Sequence, residues 1–307
     1  AGTIAASAGV ISAAEVDFDD NGSPQHIASF VGPNTYTVAA DGRGTMTLNP
    51  GPGMTVDIGF YIVSAGEALI VSIDSQSVNS LFAGSSLKQS GGPFGVGSLS
   101  GTSILNIEGK TGTAGTSDVQ IGFLSTTGGG SFTLTSDENN AGTISSNNFT
   151  GNYSVAGNGR LTITGAGNNP PVIYLVSPNK GFLVGTDNAV ITGSFEPQAT
   201  GPFSNASLSG SYFFGDMAPV VSSSSVNSGV ASPDGVGTIS GTSDNNSSGS
   251  LQGGQTFSAP YSVGTNGRVT IGSGSDTNVM YLVSSSKAVL ISTKTTKTNP
   301  TITVVEK

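Results

Sequence analysis

The sequence predicts an all-β protein of three tandem antiparallel β-modules, the first of them incomplete. Three observations carry this prediction. Apolar and polar residues alternate in short runs, Asx-Gly turns separate those runs, and three motifs recur in one order along the 307 residues. No stretch sustains a helical period, and the abundant Gly and β-branched residues weigh against helices.

The strands are legible as alternation, which marks a strand with one buried face. Val56, Ile58, Phe60 and Ile62 alternate, as do Leu69, Val71 and Ile73, Phe132 and Leu134, and Leu161 and Ile163. Tyr36-Val38, Tyr153-Val155 and Tyr261-Val263 repeat one pattern. The turns Asp41-Gly42, Asn158-Gly159 and Asn266-Gly267 supply the positive φ angles of a hairpin. Ser177 to Gly181 forms a longer turn. Each complete module reads as about eight sequential strands, closing as a small barrel or a two-sheet sandwich.

The repeat sets the domain boundaries. Tyr, five residues and Gly-Arg recur at Tyr36 to Arg43, Tyr153 to Arg160 and Tyr261 to Arg268. Tyr-x-Val-Ser recurs at Tyr61, Tyr174 and Tyr281. Gln-x3-Pro-Phe-x4-Leu-Ser-Gly begins at Gln89 and again at Gln198, 109 residues later. The modules therefore span 1–88, 89–197 and 198–307, joined by short junctions. Gly9-Val10-Ile11-Ser12 matches Gly237-Thr238-Ile239-Ser240, so the first module lacks the Leu-Ser-Gly segment and the strand after it.

Composition narrows the function classes. Ten Lys plus Arg against nineteen Asp plus Glu, a net charge of −9, argue against nucleic acid and anionic membranes. No Cys is present, which removes disulfides, thiolate metal sites and thiol nucleophiles. Only 9% of residues are charged, and the abundant Ser, Thr and Asn suit an extracellular or cell-surface protein. No run reaches the length of a membrane-spanning helix. The small residues Ala1-Gly2-Thr3 fit a processed mature end.

Catalysis finds little support. His26, the single His, sits in a Pro-Gln-His context that predicts a solvent-facing loop residue. Glu67, Glu196 and Glu306 fall near turns or strand ends and form no pair in the sequence. No Gly-x-Ser-x-Gly elbow precedes a helix, and Gly128-Gly129-Gly130 precedes a strand pattern, which is not a phosphate loop.

Asp17-x-Asp19-x-Asn21-Gly22 resembles the opening of a calcium loop, making Asp17, Asp19 and Asn21 candidate calcium ligands. Asp137-x-Asn139 and Asp244-x-Asn246 are weaker versions, and Ala28 stands where the bidentate Glu belongs. The structural alternative is an Asx turn, whose side chains satisfy backbone N–H groups. No other cofactor is implied. Arg43, Arg160 and Arg268 read as residues that pack their stems across a strand and bond a carbonyl or carboxylate. Tyr61, Tyr174 and Tyr281 read as core or seam aromatics. Asn148, Asn152 and Asn205 begin glycosylation sequons.

Leu208-Ser209-Gly210-x-Tyr212, the Asx-Gly turn, Tyr-Ser-Val-x3-Gly-Arg, Tyr-Leu-Val-Ser and Gly193-x-Phe195-Glu196-Pro197-Gln198 together resemble a family of secreted β-repeat proteins common in Acidobacteria. The resemblance implies secretion and β-modules, and it transfers no catalytic residue. The incomplete first module departs from the family pattern.

A module without its opening strand exposes unpaired backbone groups, which invite pairing with another chain. The expected function is therefore a structural subunit of an extracellular filament or surface layer. Its partner is another copy of itself, joined by β-strand complementation. The candidate crossing segments are the N-terminal one, with Thr3, Ile4, Val10 and Val16, and the C-terminal one, with Ile302 and Val304, which by alignment also takes the closing-strand position of the third module and would then pair internally. The alternatives are a secreted adhesin or glycan-binding module using exposed loops and, more remotely, a hydrolase.

Overall fold

The computed structural model describes residues 1–20, 22–75, 82–111, 115–218, 220–221, 224–274 and 276–307. The first module contains β1 (Gly2–Ser7), β2 (Val10–Asp19), β3 (Pro24–Ile27), β4 (Thr35–Val38), β5 (Arg43–Gly51), β6 (Met54–Ser64), β7 (Glu67–Ser72) and β8 (Ala83–Leu87). The second contains β9 (Ser100–Thr111), β10 (Thr116–Thr127), β11 (Ser131–Asn140), β12 (Thr143–Val155), β13 (Arg160–Thr164), β14 (Val172–Ser177), β15 (Lys180–Val184) and β16 (Val190–Pro197). The third contains β17 (Tyr212–Asp216), β18 (Ser225–Pro233), β19 (Thr238–Ser247), β20 (Ser250–Val263), β21 (Arg268–Ser273), β22 (Asp276–Ser284), β23 (Lys287–Ser292) and β24 (Ile302–Glu306). All pairings are antiparallel, and no helix among the described residues is long and apolar enough to cross a membrane.

The second and third modules are closed eight-stranded barrels, which decides between barrel and sandwich. In the second, β9 closes the wall by pairing both β10 and β16. In the third, β17 does the same between β18 and β24. The first module keeps the same strand sequence without this bridging strand, so its sheet is open and β1 and β8 are its outer strands.

Alternation fills the barrels. Leu105, Leu124, Phe132, Leu161 and Phe195 pack inside the second, and Val269, Met280, Leu282 and Val305 inside the third. A tyrosine closes one end of each barrel. Tyr153 donates its hydroxyl to the Val96 and Leu99 carbonyls at 3.0 and 3.2 Å, and Tyr261 to those of Asn205 and Leu208 at 3.2 and 2.9 Å. The glutamine motif anchors each inter-module junction. Gln89 Nε2 donates to the carbonyls of Asn158 and Leu175, and Gln198 Nε2 to those of Asn266 and Leu282.

Two sequence expectations require correction here. Ile302 and Val304 are not free to cross between subunits, because β24 is a wall strand of its own barrel. Ile302 pairs Ile291 and is fully buried, and Val304 pairs both Gly215 and Val289. Val10 and Val16 lie on β2, which has partners on both sides. Thr3 and Ile4 lie on β1, paired to β2 along one edge. His26, expected in a loop, is on β3 opposite Asp17.

Candidate functional site

The residues that recur in the sequence converge at the seams between modules. Each Asx-Gly turn positions an arginine. The Asx side chain accepts the arginine's backbone N–H at 3.0 Å in Asp41-Arg43, and at 3.1 Å in both Asn158-Arg160 and Asn266-Arg268. The intervening Gly42, Gly159 and Gly267 all have φ between 84° and 91°. The arginine then opens a strand directly opposite the second tyrosine: Arg43 faces Tyr61, Arg160 faces Tyr174 and Arg268 faces Tyr281. Arginine and tyrosine therefore project together from the outside of each sheet.

An aspartate of the preceding module completes the constellation. Arg160 donates Nε and Nη2 to the two carboxylate oxygens of Asp17 at 2.7 and 2.8 Å, and the Tyr174 hydroxyl donates to Asp17 at 2.5 Å. At the next seam Arg268 donates to Asp137 at 2.7 and 3.0 Å, and Tyr281 donates to it at 2.7 Å. The pairing is the planar, two-pronged geometry that guanidinium and carboxylate favour. Both aspartates are buried, at 5% and 4% exposure. Burial alone would raise their pKa, but the hydrogen bonds from arginine and tyrosine outweigh it and hold both carboxyls below the ordinary value. Burial and the aspartate bond push the two tyrosine hydroxyls up.

Apolar surface surrounds each clasp. At the second seam Tyr281, Val289 and Ile291 pack against Ile104, Ile121 and Phe123 of the preceding barrel, and the Phe123 and Tyr281 rings meet edge-on at 4.6 Å. At the first seam Val172, Tyr174 and Val184 pack with Ala1. Polar contacts rim the second seam: Asn139 Nδ2 donates to the Ser292 carbonyl at 2.8 Å, and Lys287 pairs with Glu196 at 2.8 Å. One sequence signal announces this two-sided burial. Val279-Met280-Tyr281-Leu282-Val283 is an unbroken apolar run, as a strand buried on both faces should be.

The candidate calcium ligands have other roles here. Asp17 and Asp19 lie along strand β2, where extended backbone places them on one face and does not wrap them around an ion. Asp17 is bound to Arg160, and His26 Nδ1 stands 3.1 Å from it. Asp19 accepts the Gly22 N–H at 2.7 Å, as Asn139 accepts Gly142 N–H at 2.8 Å and Asn246 accepts Gly249 N–H at 3.0 Å. The third position of the motif is thus an Asx turn in every module. Asn21 lies outside the described residues.

The sequence hid one carboxylate pair. Asp118 on β10 and Glu138 on β11 share the inward side of the second barrel, in step with Leu124 and Leu134. Burial, then the charge of Glu138 and a hydrogen bond with it, pushes the Asp118 carboxyl up to about 7. Glu138 accepts hydrogen bonds from Ser145 and Asn147. A surface depression on the second barrel is lined by residues such as Ser125, Thr133, Thr150 and Asn152, with no ionisable side chain among its lining residues.

No family model matches the sequence, and none of the curated proteins compared matches it. Among solved structures, kievitone hydratase from Nectria haematococca shows 9% identity over 69% of this chain and 90% of that one, with a TM-score of 0.24. A likeness that slight carries no argument.

Proposed function

We propose that this protein is a structural subunit of an extracellular filament or surface layer, with copies joining by strand complementation at the first module. The observation that carries the reading is the open sheet: two modules close through a bridging strand, and in the first nothing among the described residues joins β1 to β8. Unpaired edge strands of this kind are templates for another chain. The clasped seams support the same reading, because they hold the modules as a stiff stack suited to bearing load. The low charge and the Ser, Thr and Asn-rich composition support an extracellular setting.

The test is electron microscopy and sedimentation of the native protein, with and without a synthetic peptide carrying the bridging segment Leu208 to Met217. Filaments that the peptide shortens are expected, because the peptide would occupy the gap. Dispersed monomers that ignore the peptide would sink the reading and move the adhesin alternative forward.

A further inference from the structure

The first module carries one uncovered half of the clasp and the third module carries the other. In the first module Arg43 and Tyr61 stand opposite each other as their counterparts do, yet both side chains are exposed. Tyr61 is 55% exposed, whereas Tyr174 and Tyr281 are 2% and 1% exposed. Around it Val63, Leu69, Val71 and Ile73 are 42–58% exposed. Leu69 and Val71 occupy the register positions of Val289 and Ile291, which the preceding barrel covers at the second seam.

The complementary half lies on the third module. Asp244 occupies the register position of Asp137, each on the third wall strand of its barrel, and pairs Ser228 as Asp137 pairs Ile121. Asp244 accepts only the Gly254 N–H, at 2.7 Å, and forms no ion pair among the described residues. Beside it Phe213 is 71% exposed and Val230 38%. These are the positions of Ile104 and Phe123, which are buried at 1% and 8% in the second seam.

We infer that a second copy of this chain docks end to end on the first, with Asp244 of one copy clasping Arg43 and Tyr61 of the next. The inference rests on the self-assembly reading above but not on strand complementation. The occupant is a copy of this chain because each bare face is the counterpart of a face that another module of the same chain already covers, with the Asp244 carboxylate matching Arg43 and Tyr61, and exposed Phe213 and Val230 matching exposed Leu69 and Val71. Repeating one seam from module to module and from copy to copy is a head-to-tail contact, which propagates unless its rotation closes a ring. Three features oppose it: Ser228 stands at the place of Ile121, Gly59 stands at that of Val279, and Glu67 stands at the register position of Lys180 and Lys287 and would approach Glu306, the counterpart of Glu196. Glu67→Lys is therefore expected to tighten the contact.

Sedimentation over a range of concentration, with electron microscopy, tests the inference. Arg43 and Asp244 are both exposed, so folding is kept in the two charge-reversed variants. Arg43→Asp alone and Asp244→Arg alone are each expected to weaken association roughly 100-fold, since each leaves like charges facing in a desolvated seam. Mixing the two variants, or combining both changes in one chain, should restore it, because opposite charges then meet. If the parent assembles and neither variant weakens it, the clasp is overturned while strand complementation stands. If the variants alone fail and the mixture recovers, but the Leu208 to Met217 peptide has no effect, the clasp stands and strand complementation falls. A parent that stays monomeric at every concentration overturns both.

Discussion

Asp118 shows how the same residue type takes opposite roles on adjacent strands of one barrel. Asp137 faces outward to a guanidinium and is held ionised, whereas Asp118 faces inward toward Glu138 with its Oδ1 buried and without a donor. Burial and the neighbouring Glu138 charge keep the proton on Asp118. The sign follows from linkage: with a folded pKa of about 7 against 3.8 unfolded, the folded state binds the proton more tightly. This contribution is full below the unfolded value and is lost as pH rises through the folded one. Asp118→Asn should therefore be more stable than the parent above pH 7, with the gap shrinking toward pH 4, read from urea midpoints across pH. A gap independent of pH would mean that the carboxyl is ionised in the folded barrel. Nothing in the local sequence foretold the pair, because strand register sets Asp118 beside Glu138.

At the scale of the element, the hairpin turns were readable from dipeptides alone. Asx-Gly supplies both the αL backbone and the side-chain acceptor, two local properties. What the dipeptide does not show is how tightly its glycine is approached. A Cβ on Gly267 would stand 2.7 Å from Gln198 Nε2 and 3.1 Å from Phe203 Cδ2, while one on Gly249 meets nothing within 4 Å. Both have φ near +90°, at 89° and 87°. Gly249→Ala should thus cost about 1 kcal/mol for the backbone alone. Gly267→Val should cost roughly 2–4 kcal/mol, because it also displaces the glutamine anchor and the phenylalanine plug. Chemical denaturation of the two variants checks the ordering. The alternating strands were equally legible, whereas Ile302 and Val304 kept two roles. Alignment of the repeats offered them the closing-strand position of the third module, their β-branched character suits a crossing strand as well, and closure of the barrel assigned them to its wall.

For the whole molecule, the question is whether three modules unfold as one. The second seam joins two complete barrels through a continuous apolar cluster and an ion pair between the buried Asp137 and the half-exposed Arg268. Arg268→Ala would leave Asp137 without its cation but with the Tyr281 and Ser146 donors, at an expected cost of about 1–3 kcal/mol. It should separate a single unfolding transition into two, seen by calorimetry. The parent's clasp also carries an acid dependence of defined sign. The folded pKa of Asp137 is depressed, so its stabilisation is present above the unfolded carboxyl pKa and disappears as pH falls through the folded one. Arg268→Ala should lose that part of the acid dependence. A single unsplit transition in the variant would show that apolar packing alone couples the barrels.

The sequence by itself determined the β-class, the repeat of the module and the turns. All of these depend on residues close together in the chain or on repetition along it. The tertiary structure decided barrel over sandwich, and it decided what the repeated Asp, Arg and Tyr are for. Asp17 and Arg160 are 143 residues apart, and Asp137 and Arg268 are 131. Within a local window, Asp17-x-Asp19-x-Asn21-Gly22 reads as the start of a calcium loop. The extended backbone of β2 and the arrival of a guanidinium from the next module make it half of a clasp, because an aspartate takes its role from the charge that reaches it.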